Sequence, residues 1–395
     1  MSSLKKPKKV AILIPTYNGE RYIDELFQSI QADSYPKEYL GIFVVDNASR
    51  DNTVVVIAKE AMPTVAISDR LNITLIQNKT NLYFAKAINQ AATAAIEAGY
   101  EYLFLLNQDT AIQSGCIESL VNQLVGNPEL AVVQARMMLY AEVPPPKIGG
   151  GEEGVLRSQD SVVNSLGNAI HYLGFGFSVG NGKQWPLMLS PRPNGERVRV
   201  RGIDYTQPSW LITYASGGAM MVSVNIWKEF SGLEESLEMY HEDLDFGWRL
   251  MLAGKTSVCV RDAVVYHKYS FNPAPYKYYF MERNRMIVLL AHYRLWTLLL
   301  ITPMLLAMEL GMMVFSFKNG WWREKLRSYR DIARLLPQIC TMRQKSALLR
   351  KVSDRDILKK MESTIKDQPV SNFILDRIGN PILALYYRFL RSVIR

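Results

Sequence analysis

Val10-Ala-Ile-Leu-Ile-Pro-Thr-Tyr-Asn-Gly-Glu20 joins five consecutive apolar residues to a turn-rich polar loop. An unbroken apolar run of that length is the pattern of a strand buried on both faces. Behind the loop, Tyr22, Ile23, Leu26 and Ile30 fall on one face of a helix. The cycle then repeats. Gly41-Ile-Phe-Val-Val45 leads into Asp46–Thr53, and a helical segment follows. Ile73-Thr-Leu-Ile76 leads into Asn78-Lys-Thr-Asn81 and an alanine-rich helix from about Ala85 to Ala98. Tyr102-Leu-Phe-Leu-Leu106 leads into Asn107-Gln-Asp-Thr110 and a helix from about Ser114. Strand–loop–helix units in succession predict an α/β domain, its sheet mostly parallel with helices on both faces. Ligands of such sheets bind beyond the carboxyl ends of the strands. Asn18, Glu20, Asp46, Asn78, Asn81, Asn107 and Asp109 gather at those ends. Neither GxGxxG after the first strand nor GxxxxGKS/T occurs, so no dinucleotide fold or P-loop is indicated.

The chain has 395 residues and a formal charge of +9, unevenly spread. From Lys318 onward there are 18 Lys and Arg against 7 Asp and Glu, which leaves the first 317 residues slightly acidic. A basic tail on a near-neutral body favours an anionic partner such as a phospholipid surface. No nucleic-acid-binding motif accompanies it, so nucleic acid is not expected as a partner. Cys116, Cys259 and Cys340 are odd in number and widely spaced, which suits a reducing cytosol and argues against a disulfide framework or a zinc site. Lys5, Lys6, Lys8 and Lys9 precede an apolar run that stops at Pro15, too short for a signal-peptide core. A cytoplasmic location follows as the expectation.

Tyr240-His-Glu-Asp-Leu-Asp-Phe-Gly-Trp-Arg-Leu250 places three carboxylates at the start of a helical pattern. Acidic residues suit a first turn, where unpaired N–H groups and the helix dipole stabilise negative charge. Glu242, Asp245 and Arg249 share a face at helical spacing, which allows an i,i+4 pair, and Asp243 points elsewhere.

Taken together, Pro15-Thr-Tyr-Asn18, Val44-Val-Asp-Asn-Ala-Ser49, Asn78-x-x-Asn81 with Asn89, and Leu106-Asn-Gln-Asp-Thr110 resemble the family 2 glycosyltransferases of the GT-A fold. The likeness is to the rhamnosyltransferase-like branch. It continues through Ser216-Gly-Gly-Ala219, Glu242–Asp245 with Arg249, Val264-Val-Tyr-His267 and Glu282-Arg-Asn-Arg285, covering about residues 8–290. The resemblance implies a nucleotide-sugar donor and a glycan or lipid-linked glycan acceptor. It implies that Pro15, Tyr17, Glu20 and Asp46 cradle the nucleoside, with Asn81 beside them and Lys86 neutralising diphosphate. Asn107-Gln108-Asp109 stands where the family has a metal-binding Asp-x-Asp, with Asn107 replacing an aspartate. Asp109 and His267 are then the expected ligands of Mg²⁺ or Mn²⁺, which stabilises the leaving diphosphate as a Lewis acid. Gly217 and Gly218 let the backbone approach the sugars closely. Asp243 is the expected general base of an inverting displacement, with Glu242 and Arg249 contributing to the same substrate site.

From about Ala141 to Thr213 the rhythm breaks at Pro144–Pro146, Gly149–Gly151, Gly174, Gly176, Gly180 and Gly182, which predicts acceptor-side loops over 141–213. The glycosyltransferase domain is expected over 1–285 and a helical, basic, membrane-associated region over 286–395. Leu295 to Phe317 is long enough to span a bilayer, but Pro303 and Glu309 argue against a simple crossing. Trp321 and Trp322 read as an interfacial anchor and Phe373 to Arg395 as a second amphipathic helix. These features predict attachment to the inner face of the cell membrane. A catalytically silent glycan-binding or scaffold protein and a sugar nucleotidyltransferase remain alternatives. The former binds glycan without turnover, and the latter releases pyrophosphate in place of nucleoside diphosphate.

Overall fold

The computed structural model describes residues 7–61, 71–140, 162–185, 199–200, 203–268, 274–366, 373 and 375–394. The first units form as the apolar runs dictate. β1 (Val10–Thr16) and β2 (Leu40–Asp46) are buried almost throughout and pair in parallel, Val10 opposite Leu40. β3 (Ile73–Gln77) and β4 (Tyr102–Leu106) extend this sheet to either side, so its order is β3-β2-β1-β4, all parallel. Helices α1 (Glu20–Ala32), α2 (Thr53–Ala61) and α3 (Tyr83–Glu97) follow the first three strands. Two apolar layers cover the two sheet faces: Ile23, Phe27, Ile30 and Ile57 belong to one, and Ala87, Ile88, Ala91 and Trp227 to the other.

Beyond β4 the sheet becomes mixed. β5 (Thr110–Ile112), α4 (Cys116–Gly126) and β6 (Leu130–Leu139) lead into the expected loop region. There the described residues hold short strands: β7 (Val163–Ser165), β8 (Asn168–Ile170), β9 (Gly176–Ser178), β10 (Arg199–Val200), β11 (Ile203–Asp204) and β12 (Ser209–Ile212). The expectation of continuous loops is corrected on this point. Strands of two to four residues between left-handed turns at Gly167, Gly174, Gly180 and Gly182 are too short to show an alternating pattern. Residues 141–161 and 186–198, with Pro144–Pro146 and Gly149–Gly151, lie outside the described residues. β13 (Ala219–Ser223) then inserts antiparallel between β4 and β6, followed by α5 (Val224–Glu229) and α6 (Glu242–Leu252). β14 (Thr256–His267) runs parallel to β6 and antiparallel to β12, and its last residues pair with β5.

The remaining helices are α7 (Pro275–His292), α8 (Leu295–Lys318), α9 (Trp322–Arg334), α10 (Leu336–Leu349), α11 (Asp354–Lys360) and α12 (Asn380–Val393). Residue 285, the expected domain limit, falls inside α7. One core cluster joins Leu244, Trp248 and Leu252 of α6 to Ile287, Ile339, Leu358, Leu383 and Leu390 of the later helices. Trp248 is completely buried and meets the Tyr293 ring edge-on at 5.0 Å. The helix that carries the acidic turn is therefore held from behind by the C-terminal region.

Candidate functional site

Three strand ends are knitted together by side chains from their own turns. Gln108 accepts from Thr16 Oγ1 at 2.6 Å and from the Tyr17 N–H at 3.0 Å, which binds the β1 loop to the loop after β4. A Cβ at position 19 would sit 2.5 Å from the Gln108 oxygen, so this approach requires Gly19. Asp46 is buried and accepts from both the N–H and the hydroxyl of Ser49. Glu20 grips Asn52 through its backbone and side-chain N–H groups, at 3.1 and 2.8 Å. Asn81 accepts from the Tyr83 N–H at 2.8 Å and shapes the entry to α3. Asn47, to which the motif assigned no role, is the hub of these loops. Its Oδ1 accepts from Asn78 and the Leu82 N–H, its Nδ2 donates to the Tyr83 carbonyl, and its own N–H donates to Thr16 O. Its position directly after the Asp of a strand-end turn was the available signal.

Asp109 and His267 come together from sequence positions far apart because β5 pairs with the end of β14, Thr110 opposite His267. His267 Nε2 lies 3.3 Å from Asp109 Oδ1, and His267 Nδ1 lies 2.9 Å from Asn164 Oδ1. In the tautomer that donates from Nδ1 to the Asn164 amide oxygen, the Nε2 lone pair would face the Asp109 carboxylate. Two electron-pair donors then converge on one point, a set suited to a cation. Neighbouring ligands of a small octahedral ion lie about 3 Å apart, close to the separation here. Among the described residues no group of three or more His, Cys, Asp or Glu gathers to hold a metal.

The third corner is the start of α6. Asp243 Oδ2 accepts from the Gly217 N–H at 3.1 Å, and Oδ1 accepts from the Leu244 N–H at 2.7 Å. Burial pushes its carboxyl up to about 6 against these hydrogen bonds. Glu242 is 6% exposed, and its Oε2 has no hydrogen-bond partner among the described residues. Burial, and next the charge of Asp243, push the Glu242 carboxyl well above the usual carboxylate range. Gly217 and Gly218 connect Asp243 to the rest of the site. A Cβ on Gly217 would meet the Phe84 ring at 3.0 Å, and one on Gly218 would lie 3.0 Å from Asn107 Nδ2. Asp243, Phe84 and Asn107 thus pack around one bare strip of backbone.

Residues 11–157 match the model of glycosyl transferase family 2. The chain carries a family 2 glycosyltransferase domain. It is 23% identical over 324 residues to the N-acetylglucosaminyl-diphospho-decaprenol L-rhamnosyltransferase of Mycobacterium tuberculosis, covering 80% of this chain and 87% of that protein. Over 73 residues it is 34% identical to the poly(ribitol-phosphate) beta-N-acetylglucosaminyltransferase TarS of Staphylococcus aureus. That match covers 18% of this chain and spans 12% of the relative's length. The crystal structure of GalNAc-T7 with UDP, GalNAc and Mn²⁺ shares its fold, with a TM-score of 0.52 at 14% identity over 74% of this chain and 49% of that one.

Within the glycosyltransferase domain three expected roles change. Arg249 is not free to bind substrate: its guanidinium bonds Asp245 at 2.8 Å, Gly232 O at 2.9 Å, and Phe230 O. The i,i+4 pair seen in the sequence forms, but it faces away from the site and anchors the loop before α6. Gln108, expected to bind substrate, uses its amide to join two loops, and Glu242, expected to orient the acceptor, is buried beside Asp243. Lys86 stands exposed on the first turn of α3, and Tyr17 is 40% exposed.

The outward faces of α8 and α12 are apolar. α8 has the length and composition to cross a membrane, with a mean hydropathy of 2.1 over 18 residues, of which 6% are buried. Leu299, Leu306 and Leu310 are each more than half exposed. Ile382, Leu385, Phe389 and Val393 form a matching outward stripe on α12. The single carboxylate of α8, Glu309, turns inward to Arg285, Lys325 and Tyr329, which together with Glu282 make a buried ion cluster. Trp321 is not an anchor. It is 1% exposed and stacks on Tyr278 at 4.7 Å. Trp296 is the exposed tryptophan of this face, and the sequence reading had given it no role.

Proposed function

We propose that the chain transfers a sugar, rhamnose by analogy with the mycobacterial relative, from a nucleoside-diphosphate donor to a lipid-linked glycan with inversion at the anomeric carbon. The observation that carries this reading is the buried Asp243 carboxylate held by the Gly217 N–H beside the Gly217–Gly218 backbone, with Asn107 and Asp109 on the neighbouring loop and His267 at the end of β14. A carboxylate poised near neutral pH takes the proton of an attacking hydroxyl more readily than an ordinary one, because its basicity is closer to the working pH. The Gly217 N–H holds that carboxylate toward the strip that the sugars approach. The loops joined by Asn47 and Gln108 hold the nucleoside, and Lys86 faces the diphosphate. Asp109 and His267 would hold Mg²⁺ or Mn²⁺, which when bound offsets the charge of the departing diphosphate.

In the same proposal the outward faces of α8 and α12 rest in the cytoplasmic leaflet, with the basic helices around them attracting anionic lipid. The inward-turned Glu309 supports attachment in the plane of the membrane, since the one carboxylate of α8 does not face lipid. The described residues of the 162–213 region border the acceptor in this reading. The test is nucleoside-diphosphate release from UDP, GDP and dTDP sugars with membrane lipid acceptors, with Mn²⁺ or Mg²⁺ set against EDTA. Release from one donor that EDTA abolishes is the expected result. Pyrophosphate release, or donor binding without turnover, would contradict it. Flotation with anionic liposomes, lost from neutral ones at high salt, is the expected membrane behaviour.

A further inference from the structure

The backbone in front of α6 is wound the wrong way for its residues. Glu238 has φ 63° and ψ −72°, and the Met239 N–H donates to Leu237 O at 2.7 Å, which closes a tight three-residue γ-turn. Tyr240 and His241 follow at φ 64° and 68°. All three carry a Cβ, and none of these positions is glycine, so the turn persists only because its surroundings over-determine it.

The surroundings are two consecutive residues of α7. Asn284 is completely buried, and its Nδ2 lies 2.7, 2.9 and 2.7 Å from the carbonyls of Leu237, Met239 and Tyr240. Extended or helical backbone does not aim three such carbonyls at one amide, whereas this turn does. Arg283 adds bonds to Ser236 O at 3.2 Å, Leu237 O at 3.0 Å and the Glu238 carboxylate at 3.3 Å. On its other side the same turn reaches the donor loops. Glu238 O accepts from the Ala85 N–H of α3 at 2.9 Å, and the Tyr83 and Leu82 backbone is held by Asn47. One strained turn therefore links the donor loops to the residue preceding Glu242 and Asp243.

We propose that Asn284, with Arg283 beside it, is a positioning residue for the transfer step: it holds the Glu238–His241 turn in the geometry that registers Asp243 with the donor loops. The proposal rests on the reading of Asp243 as the general base. Asn284 touches no substrate in it. Its effect falls on kcat, because a misplaced base slows the chemistry while the nucleoside loops, secured by Asn47 and Gln108, keep their shape.

The experiment uses the full chain with its donor and lipid acceptor and measures kcat, the donor dissociation constant and thermal midpoint for Asp243→Asn, Asn284→Ala and Asn284→Ala with Glu238→Gly. Asn284→Ala is expected to lower kcat about a hundredfold, the scale of a 1 Å displacement of a reacting group, with donor affinity within about twofold. Glycine accepts positive φ without strain, so Glu238→Gly is expected to restore part of kcat in the Asn284→Ala background. If Asn284→Ala fails to fold, Asn284→Gln keeps the donors but shifts them by one methylene, and the same loss of kcat is expected. An unchanged kcat in the Asn284 variants beside an inactive Asp243→Asn overturns this inference and leaves the base in place. An active Asp243→Asn overturns the base reading and removes the ground for this one. Parallel loss of donor affinity and kcat, with no recovery through Glu238→Gly, marks a purely structural residue and overturns the proposal.

Discussion

Asp243 and Asp245 stand two residues apart on the first turn of α6 and meet opposite environments. Asp243 faces the sheet ends, where it accepts two backbone N–H bonds and no cation pairs with it among the described residues. Burial leaves its carboxyl raised to about 6. Asp245 faces the C-terminal helices. Burial acts to raise its carboxyl too, but the Arg249 charge and the hydrogen bond from His292, at 2.8 Å, hold it below the usual carboxylate range. His292 is fixed in turn by Ser346, 2.8 Å from its Nδ1. The difference separates what the two faces of the helix do. The front turn carries a group kept less stable than it would be alone, and the rear face holds that turn still by ion pairing and packing.

The largest contrast comes from neutralising each acid. Asp243→Asn is expected to lower kcat about a thousandfold, within the span attributed to general acid–base groups, with donor affinity by calorimetry nearly unchanged. A variant with wild-type kcat would place the base elsewhere. Asp245→Ala should act mainly on stability. Removing one partner of a buried ion pair costs about 3–5 kcal/mol, because Arg249 is then left uncompensated. Denaturant unfolding is the check, and a loss under about 1 kcal/mol would mean that the rear face does not depend on this pair.

A smaller effect sharpens the same comparison. The Asp243 carboxyl is raised on folding, so its ionisation opposes the folded state. Its contribution is fully present below the unfolded carboxylate range near 4 and is lost as pH rises through about 6. Asp243→Asn should therefore melt about 2–4 °C above wild type at pH 7.5. The gap should close as pH falls from about 6 to 4. Asp245→Asn should melt below wild type at pH 7.5 and through this window, because a lowered carboxyl contributes stability above the unfolded range near 4 and loses it only as pH falls further. Melting curves across that range read both signs, and a gap of the same sign for both variants would erase the distinction.

The strand units were legible because each is a largely apolar run ending in a polar turn, and Val10, Gly41, Ile73 and Tyr102 each lie at or beside a real strand start. The pairing of Asp109 with His267 was legible only through the motif series. Nothing local to either residue announces that β5 and β14 pair. The antiparallel insertion of β13 left no pattern either, since a buried strand reads the same in both directions. The i,i+4 spacing found the Asp245–Arg249 pair but not the side it faces, which is set by the packing of Trp248 on helices more than forty residues downstream. The roles of Asn47, Asn284 and His292 escaped, although the first two stand inside quoted motifs, because a single polar residue carries no periodicity and its partners are backbone groups and side chains that only the folded chain brings near.

The pH dependence of kcat tests the role of Asp243 most directly, measured at saturating donor and acceptor from pH 5 to 8 for wild type and Asp243→Asn. The wild-type rate should fall about tenfold per pH unit below an inflection near 6 and flatten above it, while the residual rate of the variant shows no inflection there. A wild-type profile without that inflection, or the same inflection in both proteins, would contradict a general base at Asp243.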